Sequence, residues 1–161
     1  MDMVNVKING RDYEVPKNST VLEAARYAGV EIPTLCYLKD INEIGACRLC
    51  LVEVTGARGL VTSCVYPVNE GMEIKTNTPK VLAARKTNLE LVLSNHEKKC
   101  LSCVRSTNCE LQKLANEYGC EEGHFEGASV HYEKDESTPF LVRDNDKCIL
   151  CRRCVAACKN M

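Results

Sequence analysis

Neither sign of charge dominates this sequence: 21 basic residues stand against 22 acidic ones, a formal net charge of -1. A chain so balanced has no strong field to draw in nucleic acid or an anionic membrane surface. Long apolar runs are missing too. No segment approaches the length of a bilayer span. Met1 to Gly10 alternates apolar and polar side chains, where a secretory leader would need an unbroken apolar core. The expectation is a cytoplasmic protein without a membrane span. No G-x-G-x-x-G occurs, so the chain offers no nicotinamide site of its own. Internal repeats of useful length and low-complexity tracts are also absent.

What is abundant is cysteine, twelve in 161 residues. That length allows one ordinary domain, or two or three small ones built around metal. Two explanations for so many thiols compete, a disulfide framework and metal thiolates. Disulfides require an oxidising compartment, which the missing leader argues against. The cysteines also fall into C-x2-C pairs, a spacing that brings two sulfurs round one metal centre.

The N-terminal third reads as a small α+β unit. Val4, Val6 and Ile8 alternate with polar residues, Asn9-Gly10 supplies a type I′ turn, and Tyr13 and Val15 resume the alternation. Thr20 and Glu23 form a capping box for a short helix that Gly29 ends. Strand, strand, helix is the opening of a β-grasp fold, and further strands are expected at Leu51–Val54, Leu60–Ser63 and Met72–Thr76. Thr78-Pro79 then starts a helix to about Ser94, with Leu82, Leu89 and Leu93 on one core-facing stripe beside Val81 and Val92. A second short helix carries Leu111, Leu114, Ala115 and Tyr118 and stops at Gly119. From Cys120 to Asp146 the chain is polar and aperiodic and reads as a connecting segment, with Glu121-Glu122 and Asp135-Glu136 as solvated charges. The stretch from Cys148 reads as a ligand loop.

Eleven of the cysteines and one histidine sort into three ligand sets. Cys36, Cys47, Cys50 and Cys64 are spaced C-x10-C-x2-C-x13-C. A [2Fe–2S] rhomb needs two thiolates on each iron, so four sulfurs must converge from a loop and a neighbouring strand. Gly45-Ala46 lets the backbone pass close to the cluster. A structural zinc site is the rival, but zinc usually joins two short knuckles and only one short pair occurs here. The second set, His96, Cys100, Cys103 and Cys109, is spaced H-x3-C-x2-C-x5-C. Three cysteines alone would leave a coordination position open, and His96, at a helix end, completes them. A zinc ion held by three thiolates and an imidazole fits that spacing equally well. The third, Cys148, Cys151, Cys154 and Cys158, follows the bacterial ferredoxin run C-x2-C-x2-C-x3-C. In that run three cysteines hold one [4Fe–4S] cluster and the fourth belongs to a second. Lys159 stands where the run has proline, and the second cysteine run is absent. Cys158 is therefore either a makeshift fourth ligand or part of a second cluster completed by a longer polypeptide, and the longer polypeptide is the expectation. Cys120 belongs to no set and reads as a packing or surface thiol. His124 and His131 have no ligand-spaced pair beside them and read as surface residues. Arg48, Lys98, Lys99, Arg105, Lys147, Arg152, Arg153 and Lys159 crowd these loops, where cations serve solubility and would also offset an anionic cluster.

In this order the three sets resemble the N-terminal part of the large iron–sulfur subunit of complex I and its relatives. Those relatives are the catalytic subunits of NAD-linked and electron-bifurcating [FeFe]-hydrogenases and some NAD-dependent formate dehydrogenases. The resemblance rests on Glu31–Tyr37, on Gly45-Ala46-Cys47-Arg48-Leu49-Cys50-Leu51-Val52-Glu53, on Asn95-His96 through Cys109–Gln112, and on Val142–Asp144 with Lys147–Val155. The last run is most similar to the hydrogenase subunit. The resemblance implies a [2Fe–2S] cluster on the first set, a His-ligated [4Fe–4S] cluster on the second and ferredoxin-type [4Fe–4S] clusters beyond. It also implies a flavin-containing NAD(H)-oxidising subunit and a [2Fe–2S] thioredoxin-like subunit as partners, with ferredoxin as a further one.

The expected organisation is therefore a β-grasp [2Fe–2S] domain over 1–78, a small helical domain with the histidine-ligated cluster over 79–119, a connecting segment over 120–146 and an incomplete ferredoxin-like tail over 147–161. The expected function is electron relay between a flavin/NAD(H) partner and a terminal active site such as a hydrogenase, with no catalytic residue in the chain. The alternatives are the front part of a complete [FeFe]-hydrogenase or formate dehydrogenase subunit, and, from another class, a zinc-binding scaffold.

Overall fold

A computed structural model describes residues 2–120, 125 and 127–160. The expectations for Glu121, Glu122 and His124 lie outside the described residues. The chain divides into two compact units, Met1–Arg85 with Arg152–Met161, and Lys86–Cys151.

The first unit is a mixed five-stranded sheet crossed by a helix. Strands β1 (Met3–Ile8) and β2 (Arg11–Pro16) form the expected hairpin, with Val4 opposite Val15 and Val6 opposite Tyr13. Asn9 and Gly10 both sit at positive φ, 50° and 83°, as a type I′ turn demands. Helix α1 (Val21–Tyr27) starts at the capping box: Thr20 Oγ1 accepts from Glu23 N–H at 3.3 Å, and the Glu23 carboxylate accepts from Thr20 N–H at 3.0 Å. These two bonds satisfy N–H groups that the first helical turn cannot. Strands β3 (Leu51–Val54), β4 (Val61–Thr62) and β5 (Met72–Lys75) complete the sheet in the order β2-β1-β5-β3-β4, with β1 and β5 parallel. The fourth and fifth strands are shorter than expected. Val4, Val6 and Ile8 from β1 meet Val21, Leu22, Ala24 and Ala25 of α1 and Val52 and Ile74 of the inner strands. Each such valine, leucine or isoleucine contributes roughly 1.5–3 kcal/mol on burial.

Helix α2 (Pro79–Ser94) matches its expected limits, and Thr78 Oγ1 caps it by accepting from Val81 N–H at 3.3 Å. Its buried stripe matches in part, at Val81 and Leu89. Leu82 is exposed, and the buried positions are Val81, Arg85, Leu89 and Glu90. Arg85 is buried among them, and its Nη2 donates to the Leu51 carbonyl at 2.7 Å. The expected ligand loop from Cys148 is also corrected in part. Helix α4 (Arg153–Asn160) carries Cys154 and Cys158 one turn apart, and Asn160 Nδ2 donates to Ile41 O at 3.2 Å.

In the second unit a 3-10 turn at Cys100–Ser102 precedes helix α3 (Glu110–Glu117), which ends at Tyr118 with Gly119 at φ 56°. The polar stretch beyond is bound to the unit. Val130 N–H donates to Asn95 Oδ1 at 3.1 Å, and Glu97 N–H donates to Asp146 O at 2.8 Å. Asp135 is more than a solvated charge: it pairs with Arg143 at 3.0 Å across an isolated bridge.

Candidate functional site

The first ligand set is where the fold converges. Cys36 follows the loop after α1, Cys47 and Cys50 lie in the turn leading into β3, and Cys64 follows β4. Cys36, Cys50 and Cys64 are each 1% exposed, and Cys47 is half-buried. The sulfurs fall into two pairs. Cys36 shares a hydrogen bond with Cys47, which draws the Cys47 thiol down to about 5 and pushes Cys36 up. Burial works against the first shift and with the second. Cys50 and Cys64 repeat the pattern, Cys50 drawn down to about 7, first by Cys64, and Cys64 pushed up. All four sulfurs are close enough for the charges of Cys50, Cys36 and Cys47 to bear on Cys64.

Peptide N–H groups point at these sulfurs. Leu35 N–H donates to Cys47 Sγ at 3.4 Å, and Cys47 N–H donates to Cys36 Sγ at 3.5 Å. Leu49 N–H also bonds Cys47 and Ala46 N–H bonds Cys36. The loop reaches this geometry through left-handed residues, Gly45 at φ 62° and Arg48 at φ 55°. A Cβ at Gly45 would lie 3.0 Å from Thr62 Cγ2, so glycine is required there for space as well as for conformation. Arg48 Nη1 donates to Thr62 Oγ1 at 2.8 Å, which ties the turn of Cys47 and Cys50 to the strand before Cys64. Asn42, 2% exposed, donates from Nδ2 to Cys36 O at 2.8 Å. Four thiolates so placed would repel one another, and a di-iron centre that takes two on each metal would offset their charge. The donor set fits such a group.

The second set is looser. Cys100 lies in the 3-10 turn, and Cys109 is the N-cap of α3, where helix dipoles favour a thiolate. Arg105 N–H donates to Cys103 Sγ at 3.5 Å. His96 follows α2, flanked by Asn95 and Glu97, both tied to the 130–146 stretch. Its pKa is lowered, first by burial and then by Lys147, a shift toward the neutral ring that a metal ligand must be. Among the described residues its buried Nδ1 has no hydrogen-bond partner. Among the described residues no three His, Cys, Asp or Glu side chains close round a single ion, in this set or in the other two, so His96, Cys100, Cys103 and Cys109 are not drawn into one group.

Of the third set, Cys148 and Cys151 lie in the second unit and Cys154 and Cys158 on α4 in the first. Leu150 N–H donates to Cys148 Sγ at 3.4 Å. One local bond thus recurs at Cys47, Cys103 and Cys148: the N–H two residues on donates to the sulfur. Cys120 has its thiol pushed up, first by burial and then by the charge of Glu90, and its N–H bonds Ala115 O at 2.9 Å. His131 is exposed, with Nδ1 3.4 Å from Asp146. Sequence reasoning missed Arg85, Asn42 and Thr62, buried polar residues with no motif to mark them. No helix of the described residues is long and apolar enough to cross a membrane.

Comparison with known proteins finds two matching families. Residues 1–79 match the model of a 2Fe-2S iron-sulfur cluster binding domain. Residues 85–124 match the NADH-ubiquinone oxidoreductase-G iron-sulfur binding region. The chain is 46% identical to the NADP-reducing hydrogenase subunit HndD of Solidesulfovibrio fructosivorans, over 100% of this chain and 28% of that protein. It is 40% identical to the NADH-ubiquinone oxidoreductase 75 kDa subunit of Reclinomonas americana, over 95% of this chain and 22% of the other. The chain therefore spans under a third of the length of these relatives. Its fold resembles the crystal structure of an NAD+-reducing [NiFe]-hydrogenase in the H2-reduced state, with a TM-score of 0.90 at 32% identity, covering 98% of this chain and 66% of that one.

Proposed function

We propose that this chain, which belongs to the iron–sulfur family of the NADH-quinone oxidoreductase G subunit and the NAD-linked hydrogenases, relays electrons between a flavin-bearing, NAD(H)-oxidising subunit and a terminal active site such as that of a hydrogenase. Membership makes it an iron–sulfur electron-transfer module whose relatives are subunits of larger complexes. The named donor and acceptor, a [2Fe–2S] thioredoxin-like partner subunit and exchange with ferredoxin are the proposal.

The observation that carries it is the pairing of Cys36 with Cys47 and of Cys50 with Cys64. Two pairs of thiolates suit two irons, whereas one zinc ion asks for four equivalent donors about one point. A bound cluster supplies reversible one-electron chemistry with no bond made in a substrate. The chain's residues do the rest. Leu35, Ala46 and Leu49 aim N–H groups at sulfur, Leu49 and Cys50 exclude water at 1% exposure each, and Arg48 sets a cation beside the ligand turn.

In the second unit the lowered pKa of His96 and its buried Nδ1, without a hydrogen-bond partner among the described residues, support its role as fourth ligand, with Cys100, Cys103 and Cys109, to a [4Fe–4S] cluster. The amide directed at Cys148 supports a ferredoxin-type [4Fe–4S] cluster on Cys148, Cys151 and Cys154. Cys158 then serves a second such cluster or completes the first. The proposed boundaries are a β-grasp domain over 1–78, the histidine-ligated domain over 79–119 and the ferredoxin-type tail from 147. Iron and acid-labile sulfide analysis of anaerobically purified protein tests the class. Brown protein rich in both is expected, and colourless protein holding zinc would overturn it.

A further inference from the structure

Ser63 is 0% exposed, a polar residue sealed between Thr62 and Cys64. Its backbone is fully used: Ser63 N–H donates to Cys50 O at 3.1 Å, and Ser63 O accepts from Leu22 N–H at 3.0 Å. Its hydroxyl has no completed hydrogen bond among the described residues. A buried hydroxyl without a partner destabilises a fold more than an alanine filling the same space. The position of Ser63 shows where a partner would stand. Leu51 pairs with Thr62 across β3 and β4, and the bond from Ser63 N–H to Cys50 O continues that register, so Ser63 lies directly opposite Cys50. Directly opposed residues of an antiparallel pair project on the same face, with Cβ atoms about 5 Å apart. The hydroxyl therefore stands beside Cys50 Sγ. Thr62, the other buried hydroxyl here, is already engaged by Arg48.

We propose that Ser63 Oγ–H donates a hydrogen bond to Cys50 Sγ when the four cysteines hold their [2Fe–2S] group, and that this bond helps set how readily that centre accepts an electron. The inference rests on the reading above that the first set carries a [2Fe–2S] cluster. A free thiol keeps its own proton, whereas a metal-bound thiolate has lone pairs to offer and a charge that rewards a donor. One electron added to the centre raises the negative charge shared by its sulfurs and strengthens any O–H···S bond to them. The donor thus favours the reduced form and raises the potential. No proton moves and no covalent bond changes.

The test is Ser63→Ala in the whole chain, with the [2Fe–2S] centre titrated by EPR against ambient potential. Loss of one ordinary hydrogen bond should lower the reduced-to-oxidised ratio at a fixed potential about fivefold. At 59 mV per tenfold for one electron, that is a shift of about 40 mV to lower potential. The deuterium shift of the Fe–S(Cys) stretching bands in resonance Raman spectra should shrink in the same variant. Ser63→Thr keeps the hydroxyl and should keep the wild-type ratio and deuterium shift. An unchanged ratio and deuterium shift in Ser63→Ala would overturn the inference. So would an equal fall in Ser63→Thr, which would point to packing, or loss of the centre from folded Ser63→Ala, which would make the residue one of assembly. Absence of any [2Fe–2S] signal from the wild-type chain would instead sink the reading on which the inference rests.

Discussion

Replacing Gly45 by alanine separates the two demands that this glycine meets. At φ 62° any L side chain carries the left-handed penalty, about 1–2 kcal/mol. The new Cβ would also lie 3.0 Å from Thr62 Cγ2 and 3.7 Å from Val65 Cγ2, so the loop or the strand must give way. Overpacking of this kind costs roughly 1–3 kcal/mol more. Thr62 cannot yield freely, because Arg48 holds its hydroxyl at 2.8 Å. Gly71 provides the control, with φ 71° and nothing within 4 Å of its would-be Cβ. Gly71→Ala therefore carries the conformational penalty alone, and any gain from a stiffer unfolded chain is common to both variants. The assay is the half-life of the visible iron–sulfur absorbance of anaerobic protein in a fixed, mild denaturant. If the extra strain of 1 kcal/mol or more is relieved on opening, Gly45→Ala should bleach at least about fivefold faster than Gly71→Ala. Equal half-lives for the two alanine variants would refute the claim that the Gly45 approach to Thr62 holds the ligand turn against its strand.

Two other substitutions probe the ligand assignments. A neutral imidazole in place of a thiolate removes one negative charge, so His96→Cys should keep a [4Fe–4S] signal at lower potential, and His96→Ala should lose it or leave a three-iron form. An intact centre at unchanged potential in His96→Ala, measured by redox-titrated EPR, would make the histidine a bystander. Cys120→Ser should leave iron content unchanged by metal analysis, whereas a fall of about four irons per chain, one cubane cluster, would mean that Cys120 is a ligand.

The elements with local grammar were readable in the amino-acid order. Asn9-Gly10, the Thr20/Glu23 box and the alternation of Val4, Val6 and Ile8 each specify their structure within a few residues, and the hairpin, α1 and β1 formed accordingly. The spacing of Cys36, Cys47, Cys50 and Cys64 picked out four residues that the structure sets in two pairs, Cys36 with Cys47 and Cys50 with Cys64. What stayed hidden depends on partners far along the chain. Arg85 is a charged residue that any periodicity argument sends to solvent, and it is buried because the Leu51 carbonyl, 34 residues away, accepts from it. Ser63 owes its place beside Cys50 to strand register, which β3 and β4 fix together and neither fixes alone. Asn95 and Glu97 are bound by Val130 and Asp146, in a stretch with no periodic signal. The turn before α4 reads as loop because its cysteine spacing hides helical residues from Arg153 onward.

The central claim is that the paired cysteines of the first unit hold a [2Fe–2S] centre independent of the ligand set in the second. Low-temperature EPR of dithionite-reduced wild type and Cys47→Ala, recorded on the same anaerobic preparations, tests it most directly. The account predicts a [2Fe–2S] signal and at least one [4Fe–4S] signal in the wild type, with only the first lost in folded Cys47→Ala, since no ligand is shared. Loss of both signals together, or persistence of the [2Fe–2S] signal without Cys47, would contradict it.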